Sequence, residues 1–378
     1  MTLILAFLSL VFAAIPAVMF FANLPLFSQR NDLDETCETL GSVSVLIPAR
    51  DEESGILASI QAALANELAT TGDAELEVVV LDDHSTDSTA AIVQEIQSND
   101  GRVRYLAGAE LPPSWNGKQH ACKQLADAAK HHWFVFLDAD VRLEPTAIQQ
   151  MLQRQTRDQV ALLSAFPRQE TGTFLEKLLI PMMHFILLGF LPFARMRGST
   201  HPAYAAGCGQ LFVTSRDNYY RSGTHAAIHD SRHDGLKLPK IYRQSGLSTD
   251  VIDGTNLATC RMYTSGSQVV RGVLKNANEG IATAKLILPF TLLLIGGSVL
   301  PIAVLVIATV VESKLAIIIS ILAILIGHAP RAIAAIRFRQ SWIGVAGHGL
   351  ATLLFVALQW TAFAMNLLGK KVTWRGRN

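Results

Sequence analysis

Asp138 and Asp140 stand one residue apart at the end of the apolar run Trp133-Phe134-Val135-Phe136-Leu137. Carboxylate oxygens suit Mg²⁺ or Mn²⁺ bound partly through a substrate's phosphates, so this Asp-x-Asp could clamp a nucleotide diphosphate. The same residue types also make ordinary turns and caps at strand ends. The preceding run reads as a strand buried on both faces, and the C-terminal edge of such strands is where open α/β sheets bind ligands.

The elements needed to position that pair are legible upstream and downstream. Val43 to Ile47 reads as a strand ending at Pro48, followed by the polar loop Ala49 to Gly55 and a helix carrying Ile56, Leu57 and Ile60. Glu77 to Leu81 reads as a second strand, ending in Asp82-Asp83-His84-Ser85-Thr86-Asp87, with Ser85 or Asp87 as cap of a helix that buries Ala90, Ile92, Val93 and Ile96. Val103 to Leu106 and Val160 to Phe166 are further strands. Strands alternating with helices imply βαβ units and a mostly parallel sheet. Strand ends then line up, so residues 48–53, 82–87 and 138–140 should converge on one edge. An ionised Asp there accepts hydrogen bonds, from a uracil N–H or from ribose hydroxyls.

Composition places part of the chain in a bilayer: of 378 residues, 50% are hydrophobic and only 17% charged. A net charge of +1 gives no overall field for nucleic acid. Cys37, Cys122, Cys208 and Cys260 form no metal-binding or disulfide spacing and read as free cytosolic thiols. Thr2 to Ala22 carries no charge and is long enough to span, with a cleaved signal peptide as its rival. Leu286 to Val311 and Leu315 to Ile326 read as a hairpin turning at Glu312-Ser313-Lys314; Val345 to Leu368 follows a loop carrying Arg331, Arg337 and Arg339. Leu178 to Phe193 is short for a span and reads as interfacial or re-entrant, with a buried core helix as the alternative. The expected organisation is a membrane helix at 1–26, a cytosolic domain at 40–283, about three membrane helices over 284–368 and a basic tail at 369–378. Arg30 and the arginines at 331–339 favour a cytoplasmic domain in a multi-pass protein of the inner or plasma membrane. The tail, with Lys370, Lys371 and Arg375, falls on the wrong side if all four segments cross.

Four ordered motifs carry a family resemblance: residues 43–53 (VSVLIPARDEE), 82–87 (DDHSTD), 116–118 (NGK) and 138–140 (DAD). In order and spacing they resemble the inverting family-2 glycosyltransferases. The resemblance implies a glycosyltransferase A fold, a nucleotide-diphosphate sugar (most simply a UDP-sugar) and a divalent metal. It implies that Pro48, Ala49, Arg50 and Glu52 line the nucleotide pocket, that Asp83 meets the base or ribose, and that Lys118 lies near the phosphates. Asp138 and Asp140 become the ribose and metal carboxylates. Trp115 to Lys118, His233-Asp234-Gly235, Cys260 to Tyr263 and the terminal Trp374 to Arg377 look, more narrowly, like membrane glycosyltransferases associated with hopanoid and carotenoid lipids. That likeness implies an isoprenoid-type membrane lipid as acceptor.

Inversion in one displacement needs a carboxylate beside the acceptor hydroxyl. The family supplies it in a Glu-Asp pair at the start of a helix; here His233 replaces the Glu, so Asp234 is the expected base, Asp230 the runner-up, and a helix cap the plainer role for Asp234. Small residues over 205–209 could admit sugar or acceptor, or simply pack. Arg261 is a candidate for offsetting the departing diphosphate, and Lys275 for meeting lipid headgroups. The Gln-x-x-Arg-Trp run of processive synthases does not occur between 234 and 285, which favours single-sugar transfer. A polyprenyl-phosphate sugar synthase and a non-catalytic scaffold or transporter with a degenerate transferase domain are the alternatives.

Overall fold

The computed structural model describes residues 1–28, 41–66, 68 and 74–369. Arg30, Cys37 and the basic tail from Lys370 lie outside them. The apolar runs become strands β1 (Val43–Ala49), β2 (Leu76–Asp82), β3 (Val103–Ala107), β4 (Trp133–Leu137) and β6 (Leu162–Gln169), joined by β5 (Val141–Leu143), β7 (Leu211–Ser215) and β8 (Thr249–Cys260). Among the described residues they form one eight-stranded sheet, ordered β3-β2-β1-β4-β7-β6-β8-β5. β1 pairs in parallel with β2 and β4, and β2 with β3. β7 is antiparallel to both β4 and β6, so β6 points the same way as the first four. The mostly parallel sheet expected from the sequence is present, with β7 reversed in its middle and β5 antiparallel to β8 at its edge.

Alternation along the central strands divides the core between the two faces. Val43, Val45, Ile47, Val78, Val80 and Val135 pack with Ile56 and Ile60 of helix Ile56–Leu64 and Val93 of helix Thr89–Asn99. Leu46, Val79, Leu81, Phe134 and Phe136 pack against helices Gly117–Ala128 and Asp234–Gln244 through Cys122, Leu125, Leu238 and Tyr242. Both faces are covered, which is why these strands carry no polar alternation.

The longest strand, β8, gave no signal because its charge is buried. Asp250, 2% exposed, is met by Arg197 at 2.9 Å, and Gly254 lies so close to β6 that a β-carbon there would sit 2.8 Å from Phe166 O.

A second unit comprises Met1–Leu26, Gln169–Phe193 and the chain from Tyr263 onward. Thr2–Phe27, Lys314–Arg337 and His348–Leu367 are each long and apolar enough to cross a bilayer. The block expected as one span over 286–311 is broken: Ile287–Ser298 and Leu300–Val310 meet at a 45° bend. Gly296-Gly297-Ser298 and Pro301 lie at that break, where helix propensity is lowest. The basic loop expected over 331–339 is also corrected. Arg331 and Arg337 belong to the helix, which Ala332, Ala334 and Ala335 carry onward, and Arg331 is 1% exposed; only Arg339 lies in the turn, at φ 52°. Arg331 therefore contributes nothing to a positively charged loop.

The ambiguous segment over 178–193 is two short helices, Phe174–Leu179 and Met182–Phe190, grouped with the apolar helices of this unit. The C-terminal end of the second helix is held by Asn23, whose Nδ2 donates to Leu188 O at 2.7 Å and Leu191 O at 2.6 Å, and whose Oδ1 accepts from Phe193 N at 3.1 Å. Asn23→Leu keeps the volume and strands buried backbone groups, at about 1–3 kcal/mol each. Thermal unfolding of the detergent-purified chain should show a clear loss of stability; an unchanged midpoint would mean that helix end is held by other contacts.

Candidate active site

The polar loops after β1 and β2 are stitched to each other. The N–H groups of Asp51, Glu52 and Glu53 donate to Ser85 Oγ (2.9 Å), Thr89 Oγ1 (2.8 Å) and Asp87 Oδ2 (3.0 Å). In return, Asp51 Oδ1 accepts from Thr86 N at 2.8 Å and Glu53 Oε2 from Ser88 N at 3.0 Å. Asp51 and His84 take positive φ, 52° and 56°, an uncommon state for residues with a β-carbon. Asp87 Oδ1 accepts at 2.9 Å from the N–H of Thr89, the first residue of the following helix, but the capping position itself falls on Ser88, whose side chain makes no cap bond, and Ser85 is spent on the loop. Burial raises the Asp87 carboxyl, but the hydrogen bonds from Thr89 and the Glu53 N–H together outweigh it and hold the group below its ordinary range.

These loops fix the nucleotide-pocket candidates. Pro48 and Ala49 close β1, opposite Leu81 and Asp82 of β2. Arg50 Nη1 lies 3.2 Å from Asp83 O and 3.5 Å from its Oδ2, and Asp83 N donates to Ala49 O at 2.8 Å. Gly117 opens the next helix directly above: a β-carbon there would sit 2.9 Å from Asp83 Oδ2.

One residue before Gly117, Asn116 caps that helix, its Oδ1 accepting from Lys118 N at 3.1 Å. The Lys118 ammonium then spends its three donors on Asp138 Oδ1 at 2.6 Å, Asp234 Oδ2 at 2.8 Å and Gly209 O at 3.1 Å. Burial works against its charge, but the two carboxylates hold it well above the usual lysine value. Burial pushes Asp138 up to about 6, with Lys118 opposing and the neighbouring Asp140 adding to the rise. Asp140 is raised too, by burial and then by the charge of Glu52. Asp234 goes the other way: burial raises it, and Lys118 outweighs that, leaving it below the ordinary range and ionised at neutral pH.

Asp140 Oδ1 is buried and has no hydrogen-bond partner among the described residues. Beneath the pair, Gln210 Nε2 donates to Cys260 Sγ at 2.9 Å, Cys208 Sγ donates to Gln210 Oε1 at 3.3 Å, and Asp138 N donates to Gln210 O at 3.0 Å. Burial pushes the Cys208 thiol up to about 12. Cys122, Cys208 and Cys260 are all unbridged, as their spacing implies. Among the described residues no three His, Cys, Asp or Glu side chains gather to hold a metal by themselves.

The structure thus joins Lys118, Asp138 and Asp234, joins Arg50 to Asp83, and sets Glu52 within electrostatic reach of Asp140. Asp230, the runner-up, is exposed and makes no ion pair or hydrogen bond among the described residues. Its neighbours serve as ties: Asn116 N donates to His229 O at 2.6 Å and Gln119 Nε2 to Ser231 O at 3.3 Å, docking the approach to Asp234 on the Lys118 helix. Asp234 is the first residue of its helix, with His233 at the capping position. Arg261 directly follows β8 and is exposed. What the sequence left open, and the structure resolves as packing, is the small-residue stretch. A β-carbon on Gly209 would lie 2.6 Å from Asp234 Cγ, and one on Gly235 would lie 2.7 Å from Gly207 O. Gly-x-Gly ahead of a strand and Asp-Gly at a helix start were the visible signal.

A two-faced, mostly parallel sheet whose loops gather acids and a lysine at one edge is the arrangement of the glycosyltransferase A fold. Residues 44–220 match the model of glycosyl transferase family 2. The chain is 26% identical over 247 residues to the 4,4'-diaponeurosporenoate glycosyltransferases of Staphylococcus aureus strains MRSA252 and USA300, a match covering 65% of this chain and 63% of the relatives' length. Its fold is similar to that of a Pyrobaculum calidifontis mannosyltransferase solved with GDP-Man and Mn²⁺, with TM-score 0.58, 18% identity, 98% of this chain and 100% of the other covered.

Gly209→Ala should push the Asp234 carboxylate off Lys118. Because misplacement of a reacting group by about 1 Å can cost about 100-fold, sugar transfer should fall by that order while circular dichroism stays that of the parent. Full activity in this variant would remove Asp234 from the site.

Proposed function

We propose that the chain is a membrane-bound, metal-dependent inverting glycosyltransferase that moves one hexose from a nucleotide-diphosphate donor, in our reading a UDP-sugar, to an isoprenoid-type lipid. The observation that carries this reading is Lys118 held between Asp138 and Asp234 while Asp140 keeps a buried, unpaired oxygen. The helices able to span a bilayer and the relatives named for 4,4'-diaponeurosporenoate support a lipid acceptor. Nucleotide sugars are made in the cytosol, so the domain is assigned to the cytoplasmic side.

In this proposal Pro48, Ala49, Arg50, Glu52 and Asp83 form the nucleotide pocket, with Asp83 accepting from base or ribose. Asp138 and Asp140 are the residues that would hold Mg²⁺ or Mn²⁺. Their hard oxygens fit such an ion, whose remaining ligands would come from donor phosphates and water, and whose charge would offset that of the leaving diphosphate. Lys118 and Arg261 supply further positive charge. Asp234, ionised because of Lys118, accepts the proton of the acceptor hydroxyl as its oxygen attacks the anomeric carbon from the side opposite the nucleotide. The bond to the diphosphate oxygen breaks with its electron pair, and the configuration inverts.

Two measurements test this. Calorimetry should show UDP binding that strengthens with Mn²⁺ and loses that gain in Asp140→Ala; binding indifferent to both would sink the metal site, and a preference for GDP would replace the nucleotide. Asp234→Asn should cut transfer to lipid extracts by about 10²–10⁴-fold and leave donor affinity within a few-fold. A strongly weakened donor affinity in that variant would move the base elsewhere.

A further inference from the structure

Arg331 lies in the helix Lys314–Arg337, within the unit built on apolar helices, and is 1% exposed. Its guanidinium has five N–H donors, no acceptor and a permanent charge. One of these donors is used: Nη2 donates to Gly344 O at 2.9 Å. That approach depends on a glycine, since a β-carbon on residue 344 would sit 2.7 Å from Nη2. Nε and Nη1 are buried with no partner, and among the described residues no carboxylate lies within ion-pair distance of this guanidinium.

The surroundings do not supply the missing negative charge. His348, 0% exposed, opens the helix His348–Leu367 four residues after Gly344, the residue whose carbonyl Arg331 holds. Its Nε2 lies 3.0 Å from Ser298 Oγ and its Nδ1 has no partner. His328 packs edge-on to the His348 ring, with centroids 5.2 Å apart. A guanidinium left without a counter-charge among apolar helices is costly, and such residues in membrane proteins mark ligand sites. The unmet groups are donors grouped around one positive charge. They require oxygens that accept several hydrogen bonds and carry negative charge, which is the chemistry of a carboxylate or a phosphate.

We infer that Arg331, with His348, forms an anion-recognition site inside the membrane unit, and that it takes the carboxylate or phosphate head of an amphiphile whose tail lies along the apolar helices. An amphiphile fits better than a soluble anion because these helices expose apolar surface: Ile318 is 62% and Leu325 63% exposed on the same helix. The inference rests on the membrane part of the proposed function and on none of its donor chemistry. The head group could belong to a bilayer phospholipid or to an acidic lipid used as acceptor.

Thermal unfolding of the full chain in nonionic detergent separates the sources. Dioleoylphosphatidylglycerol compared with dioleoylphosphatidylcholine probes a phosphate head freed of zwitterionic balance; oleate compared with methyl oleate probes a carboxylate. The expected result is a raised midpoint with the anionic member of at least one pair and none with its neutral partner. Response to the phospholipid alone assigns a headgroup, and to oleate alone a carboxylate. Arg331→Gln should abolish the difference, and without added amphiphile should be no less stable than the parent, because it removes an uncompensated charge. His348→Ala should reduce the shift while keeping the Arg331–Gly344 bond, and serves if the Arg331 variant does not fold. Equal shifts for anionic and neutral members in the parent, or an undiminished difference in both variants, would overturn the site. UDP calorimetry on the same samples keeps the outcomes apart: nucleotide binding lost with the anion shift retained fails the transferase reading alone.

Discussion

The site hangs on one ammonium shared by two carboxylates. Lys118 comes from the first turn of a helix, Asp138 from the end of β4 and Asp234 from the first turn of a helix about a hundred residues later. Like charges this close would not all stay ionised without a cation between them. The pair of contacts is therefore a constraint on the fold as much as a feature of the site. It explains why Gly209 and Gly235 must be small, since the backbone around Asp234 is pressed against Gly207–Gly209 to bring its carboxylate within 2.8 Å of Lys118 Nζ. It also explains why the loop 229–233 is tied by backbone and Gln119 hydrogen bonds to the helix that carries the lysine.

The half of the fold that the sequence made legible is the half where burial is apolar. β1, β2 and β4 are continuous aliphatic and aromatic runs, and their polar ends mark the ligand edge without help from anything distant in the chain. β8 is equally buried, but it hides Asp250 by pairing it with Arg197 and carries Gly254 for close approach, so neither alternation nor an apolar run betrays it. The Lys118 helix is similar: Gly-Lys-Gln-His opens it, its largest apolar residue is Leu125, and its stability comes from the Asn116 cap and from packing. In the membrane unit the error ran the other way. Arginines point to a loop because charge ordinarily leaves the bilayer, and the buried Arg331, inside a helix, is the case in which that rule fails for a reason.

At the site, residue types were legible and their partners were not. Asp138, Asp140, Asp83, Lys118 and Asp234 could all be named from motif positions. That Lys118 bridges two of them, that Arg50 belongs to Asp83, and that Asp140 keeps an unpaired oxygen are facts of three-dimensional placement, as is the separation of Asp234 from the exposed Asp230. The reciprocal bonds between Asp51–Glu53 and Ser85–Thr89 are in the same category. Each residue reads alone as a turn former, and only the pairing shows two loops acting as one rigid rim.

The Lys118 bridge also bears on when the proposed base could act. A carboxylate held below its ordinary pKa by an ammonium is ionised but weakly basic, and basicity is what proton removal requires. A donor diphosphate brings phosphate oxygens that compete for the same three ammonium hydrogens. Any share of Lys118 drawn toward them weakens its hold on Asp234, and desolvation, already opposing ionisation there, then raises the carboxyl toward a more useful basicity. The same ammonium that holds Asp138 and Asp234 together would in this way delay proton abstraction by the proposed base until the sugar donor is in place, which would protect an activated sugar from loss to water without a separate lid.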